Sequence, residues 1–213
     1  RLRLVIFGGS TGAEAYTLAS ELMTARPRTD FVIESTDLHE DVVEKGRAGF
    51  YSKAEIRENP NLPEDFVDRT FELVDEDFRV RAEIRDRVEF TQANILDPDL
   101  ADRFEPADVV LAQNVLFHLT PAEEDVAFRN VAGLLKPRSA LFVDGMGLDL
   151  KMELTRQMGL EPLDFQVRKL YLYSRRYLPA HWWRFYYGRE PYSVFTPNRL
   201  RRYSTIFLKN SGT

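Results

Sequence analysis

Three glycines in the five residues 8–12, set at the end of an apolar run, constrain this chain more than any other feature. Leu2, Leu4, Val5, Ile6 and Phe7 make a run too short for a helix and right for a strand buried on both faces. Gly8, Gly9 and Gly12 then break it. Glycines accept positive φ and carry no Cβ to hold a ligand off the backbone. From Gly12 to Arg26 the residues Ala15, Leu18, Ala19, Leu22 and Met23 recur at helical spacing, and Ser10 or Thr11 is expected to cap that helix. Strand, glycine turn and helix are the opening unit of a nucleotide-binding α/β sheet. The spacing G-G-x-x-G is not the dinucleotide G-x-G-x-x-G, and no lysine follows to make a Walker loop. On these residues alone, a tight strand-to-helix turn without a ligand competes with the binding reading.

The rest of the chain continues the alternation of strands and helices. Phe31-Val32-Ile33 starts a second strand that ends at Thr36-Asp37, and a helix is expected from Glu40 to Ala48. Residues 50–86 read as a long, helical crossover insert, with helical pieces near 53–58 and 63–70. Val88–Ala93, Val109–Ala112 and Ala140–Val143 read as strands three to five, with a helix from Pro121 to Leu135 before the fifth. A helix over 150–158 ends at Gly159, and strands are expected over Pro162–Leu172 and Tyr203–Lys209. Two late strands without a strong helix between them predict an antiparallel hairpin at one sheet edge.

Composition excludes several alternatives. The 213 residues suit one α/β domain, 1–213, with an ample core. There is no cysteine for disulfides, thiolate metal sites or a sulfur nucleophile. His39, His118 and His181 are too scattered to suggest a metal. No apolar run approaches the roughly 20 residues of a membrane span, and no signal peptide is visible, so a cytoplasmic location is expected. The sequence enters its first strand directly from Arg1, which is read as the loss of an upstream segment.

Several motifs in register narrow the reading further. GGSTGAEAY resembles the G-x-S-T-G-E-E-P-Y motif of the chemotaxis-receptor (CheR-type) methyltransferases. Glu34-Ser35-Thr36-Asp37-Leu38 resembles that family's A-T/S-D-I/L-D, and Gly49-Phe50-Tyr51-Ser52 its G-x-Y-S. The block from Phe71 to Asn94, the string Gln113-Asn114-Val115-Leu116 and the string Leu134-Leu135-Lys136-Pro137 resemble its later motifs in the same order. The resemblance implies an α/β, Rossmann-like class I methyltransferase fold with a seven-stranded, mostly parallel sheet, an antiparallel edge hairpin and an aromatic, basic insertion. It implies S-adenosylmethionine as cofactor and a methyl transfer as the reaction.

The same resemblance distributes roles. Gly8, Gly9, Ser10 and Thr11 would cradle the cofactor, and Glu14 would meet its ammonium group. Asp37, followed by Leu38, ends the second strand, where a carboxylate accepts hydrogen bonds from two ribose hydroxyls. The competing role for Asp37 is a cap on the next helix. Asn94 and Ile95 would meet the adenine, with a turn at Asn94 as the alternative. Gln113 and Asn114 end the fourth strand beside the expected methyl position. Two departures from the family point away from receptor-glutamate ester formation: its arginine is Gln113, and its tyrosine is His118. Gln113 and His118 are therefore the candidate catalytic residues, His118 as a base or as a group that orients the acceptor.

One segment stands apart. Residues 166–209 hold ten Lys/Arg against one acid, Glu190, and 12 aromatics, in a chain of net charge −5. Its section 171–203 is expected to lie over the site as a lid that selects an anionic acceptor, with Trp183, Arg184 and Arg189, together with Tyr16, as acceptor contacts. The acceptor is expected to be a small molecule or a protein side chain that offers an oxygen or a carboxylate. Contact with an anionic membrane is a further reading, packing on the sheet edge is the plain one, and the lack of an RNA-binding motif argues against nucleic acid. A non-catalytic module that binds S-adenosylmethionine as a sensor is the alternative function.

Overall fold

A computed structural model describes residues 1–59, 62–176 and 190–211. The chain forms two compact units, Arg1–Asn94 and Ile95–Thr213. The first contains β1 (Leu2–Phe7), α1 (Ala13–Ala25), β2 (Phe31–Asp37), α2 (Glu40–Ala48), β3 (Phe50–Tyr51), α3 (Lys53–Ile56), α4 (Glu64–Thr70), β4 (Phe71–Val74), β5 (Asp77–Val80), α5 (Ala82–Arg85) and β6 (Val88–Gln92). Strand β2 runs parallel to β1, from Leu2 opposite Phe31 to Phe7 opposite Thr36, and parallel to β6 on its other side. Six of its seven residues are buried, as a central parallel strand covered on both faces requires.

Helices α1 and α2 are locked to β6 around one ring. Phe90 lies so close to α2 that a Cβ at Gly46 would meet its ring at 2.4 Å. The Tyr16 ring packs 5.6 Å from Phe90, and the Tyr16 hydroxyl donates to Gly46 O at 2.7 Å. Glycine at 46 thus sets how closely this helix approaches the sheet.

The segment 50–86 corrects the helical reading. Besides its short helices it forms a three-stranded antiparallel sheet, β3-β5-β4. Tyr51, Phe66 and Phe78 stack edge-on around Phe71 at 5.9, 6.2 and 6.4 Å. Two to four residues per strand are too few for an alternating pattern to register. The β4–β5 turn is Asp75-Glu76, not Asn-Gly, with Asp75 at φ 55, so the hairpin lacks its usual signal.

The second unit contains α6 (Leu100–Arg103), β7 (Ala107–Ala112), a 3₁₀ turn (Leu116–His118), α7 (Pro121–Gly133), β8 (Leu135–Val143), α8 (Leu148–Gln157), β9 (Leu160–Pro162), α9 (Val167–Arg176), α10 (Arg199–Tyr203) and β10 (Ile206–Lys209). Strands β7 and β8 are parallel, and β10 is antiparallel to both β8 and β9. The antiparallel edge is therefore as expected, but its sixth strand is only Leu160–Pro162. The stretch expected to extend it to Leu172 is helical from Val167. The reason is an i, i+4 pair: Val167 and Tyr171 turn inward together onto Leu148 and Tyr203, with the two tyrosine rings 4.8 Å apart. The strand order is β6-β2-β1-β7-β8-β10-β9, a seven-stranded, mostly parallel sheet. No helix among the described residues is long and apolar enough to cross a membrane.

Candidate cofactor site

In the first unit the carboxyl ends of β1, β2 and β6 meet at Asp37. Its Oδ2 accepts the Ser10 amide at 2.9 Å, and its Oδ1 the His39 amide at 3.2 Å. Its own carbonyl accepts the Ala93 amide at 2.9 Å, just after β6. One residue thus ties the glycine loop, the second strand and the third strand end together. Asp37 does not cap α2; His39 holds that place. Each carboxylate oxygen keeps a lone pair for a ligand hydroxyl. Leu38, 54% exposed beside it, offers an apolar face, and exposed Asn94 ends the row.

The loop itself is strained and held. Gly8, Ser10 and Gly12 alternate in the left-handed region at φ 71, 48 and 92. Such a path costs about 1–2 kcal/mol at a non-glycine residue and persists only where its surroundings over-determine it. Here Gly9 N donates to Thr36 O at 2.9 Å and Gly12 N to Gly9 O at 2.9 Å. Gly12 is the N-cap of α1 without a side-chain bond, so neither Ser10 nor Thr11 caps the helix as expected. A Cβ at Gly9 would fall 2.0 Å from Ser35 Oγ. Glycine there answers to the packing of β2 as well as to any ligand.

Glu14 stands half-buried in the first turn of α1, and burial pushes its carboxyl above the usual carboxylate range. A cation beside it would reverse that shift. Tyr16, expected among the acceptor contacts, is only 2% exposed and spends its hydroxyl on Gly46.

The second unit supplies the remaining candidates. Gln113 and Asn114 follow β7, with Asn114 exposed at φ 55. Gly145, in the loop after β8, lies so near that a Cβ would meet Phe117 at 3.2 Å and the Asn114 Cα at 3.4 Å. His118 is exposed, its ring 3.9 Å from that of Phe117. It ends a 3₁₀ turn rather than starting a helix, because Thr120 and Glu123 form the capping box that opens α7. Ile95 is anchored from behind: Asn130 on α7 donates to Ile95 O at 2.9 Å and to Asp97 O at 3.1 Å. Sequence reasoning passed over Asn130, which looks like any polar residue on a helix. Trp183, Arg184 and Arg189 lie outside the described residues.

A glycine loop, an acid and an amide at successive ends of a parallel sheet with an antiparallel edge define the class I, S-adenosylmethionine-binding methyltransferase fold. Within that class the chain belongs to a particular family: residues 1–158 match the CheR methyltransferase, SAM binding domain. It is 29% identical over 163 residues to the probable biofilm formation methyltransferase WspC of Pseudomonas putida, covering 76% of this chain and 37% of the relative. It is 31% identical over 148 residues to the chemotaxis protein methyltransferase of Escherichia coli, covering 62% and 47%. The chain thus spans less than half the length of these relatives. Among solved structures, an O-methyltransferase family protein from Burkholderia thailandensis shares the fold at a TM-score of 0.50 and 15% identity, over 100% of this chain and 52% of that one.

Proposed function

We propose that this chain binds S-adenosylmethionine along the ends of β1, β2 and β6 and directs its methyl group to an oxygen of an acceptor. The observation that carries the reading is the junction at Asp37, which orients a carboxylate through two backbone amides while leaving it acceptor capacity. The residues fit the cofactor in kind. Asp37 would hold the ribose, Leu38 and Asn94 the base, Glu14 the ammonium group, and the loop Gly8–Thr11 the methionyl backbone. When bound, the cofactor supplies an electrophilic methyl on sulfur, and the leaving group is neutral.

The chain's own task is then alignment and exclusion of water more than acid–base work. Gln113 and Asn114 would hold the accepting oxygen with neutral amides. A carboxylate acceptor needs no proton removed. A hydroxyl acceptor needs a base, and exposed His118 is the candidate. A protein acceptor fits the names of the chemotaxis methyltransferases this chain resembles.

The test has two stages. S-adenosylhomocysteine should bind with micromolar affinity by calorimetry. With methyl-labelled cofactor and acidic proteins or small carboxylic acids as acceptors, the label should be released as methanol by mild base if the product is an ester. Label that is stable to base and released as methylamine on hydrolysis would overturn an oxygen acceptor. Binding without any turnover would favour the sensor alternative.

A further inference from the structure

The motif Gly49-Phe50-Tyr51-Ser52 has no part in the cofactor reading above, yet one of its side chains reaches the glycine loop. Tyr51, 7% exposed on β3, donates its hydroxyl to Thr11 O at 2.6 Å across 40 residues of sequence. Burial raises the phenol above its usual range, so it stays a donor at all physiological pH values. The ring is fixed independently of the hydroxyl. It packs edge-on against Phe71 at 5.9 Å, and the Lys45 ammonium lies over it at 5.9 Å. Lys45 is itself held by Glu55 at 2.7 Å, and Glu55 closes the capping box with Ser52 next to Tyr51.

The bond matters because of what lies behind the loop. A cavity of about 240 Å³ opens on that side, lined by Thr11, Ala13, Tyr16, Tyr51, Ile56 and Phe66. Thr11 lines this cavity, and on its other side the path is strained at Ser10, φ 48. The amides of Gly9 and Ser10 hold the loop to β2, the Gly12 amide closes it on Gly9 O, and the Tyr51 hydroxyl holds it from the cavity side.

We infer that Tyr51 is a positioning residue: it keeps the glycine loop in its cofactor-ready conformation by tethering Thr11, and so couples the three-stranded sheet to cofactor affinity. This rests on the loop being the cofactor site. Tyr16 gives the internal control, because its hydroxyl also donates to a backbone carbonyl, at 2.7 Å, but that carbonyl is Gly46 O on α2.

Tyr51→Phe keeps the ring and removes only the tether. The expected result is a 3- to 10-fold rise in the Kd for S-adenosylhomocysteine by calorimetry, the range of one lost hydrogen bond. Amide hydrogen exchange at Ser10–Gly12 in the cofactor-free protein should speed up by a similar factor. Tyr16→Phe should lower the melting temperature while leaving Kd and loop exchange within twofold of wild type. The inference fails if Tyr51→Phe leaves both Kd and loop exchange unchanged, or if Tyr16→Phe changes them as much. Failure of the wild-type protein to bind S-adenosylhomocysteine would sink the cofactor reading instead, and the exchange measurement would still decide whether the tether exists.

Discussion

The backbone amide of Ser10 donates to Asp37 Oδ2 at 2.9 Å, so a carboxylate at the end of the second strand is aimed by the loop that ends the first. The bond is both a fold contact and a preorganisation of the site, because a ribose would meet an acceptor already fixed in place. Asp37→Ala should weaken S-adenosylhomocysteine binding by about 1.5–3 kcal/mol, the scale for hydrogen bonds to a charged group. Asp37→Asn keeps one acceptor oxygen and should fall between alanine and wild type. Calorimetry decides: an unchanged dissociation constant for the alanine variant would mean that Asp37 serves only the loop.

Gly9 and Ser35 form a pair in which each limits the other. A Cβ at position 9 would sit 2.0 Å from Ser35 Oγ but 3.4 Å from Ser35 Cβ. Ser35 Oγ is buried and has no hydrogen-bond partner among the described residues. Gly9→Ala should therefore destabilise by about 1–3 kcal/mol through overpacking. Ser35→Ala should be neutral or stabilising, since an unsatisfied hydroxyl costs free energy when buried. In the double variant the clash is gone, so most of the loss should be recovered. Chemical denaturation of the four proteins measures the coupling, and strict additivity would show the clash relieved elsewhere.

The long elements were legible in the sequence because periodicity and glycine breaks mark them: β1, α1, β2, α2 and β6 fall where the apolar spacing puts them, α2 with the same limits. The three-stranded sheet was not legible, since strands as short as Phe50–Tyr51 carry no period. The apolar residues of Pro162–Leu172 fit a strand equally well, and only the packing of Val167 and Tyr171 on one helix face with Leu148 and Tyr203 decides for the helix. The site divides in the same way. Asp37 and the glycines announce themselves by residue type at strand ends. Asn130 carries no local signal, and although Tyr51 sits in a motif, the partners through which both act, 35 and 40 residues away, are not readable from a single sequence.

Asn130 offers a test of how the strand end behind Ile95 is held. Its amide nitrogen donates to two backbone carbonyls, Ile95 O and Asp97 O. Asn130→Ala should cost about 1–3 kcal/mol, because both carbonyls lose a donor in a half-buried setting. Asn130→Asp should cost more, since a carboxylate oxygen would face two carbonyl oxygens with no proton between them. The order of melting temperatures, wild type above alanine above aspartate, is the check. An aspartate variant as stable as the alanine one would remove the anchoring role.

Glu14 should show opposite effects on stability and on binding. Two forces act on its carboxylate. The α1 dipole favours a negative charge in the first turn by about 0.3–1 kcal/mol. Burial opposes it and prevails, because the carboxyl lies above its ordinary value of 4.5. A raised acid binds its proton more firmly in the folded state, so its contribution to stability is full below the unfolded value of 4.5 and is lost as pH rises through the folded one. At neutral pH the ionised group is thus a standing cost. Glu14→Gln should melt higher than wild type at pH 7, and the gap should close as the pH falls below 4.5. Binding should respond in the reverse sense if Glu14 meets the cofactor's ammonium group. The glutamine variant should then lose about 1.5–3 kcal/mol of affinity for S-adenosylhomocysteine, and the wild-type affinity should decline with acid at a higher pH than an ordinary glutamate would give. Parallel melting curves and titrations between pH 4 and 8 separate the two effects. A glutamine variant that is more stable yet binds as tightly as wild type would leave Glu14 a buried helix residue with no share in the site.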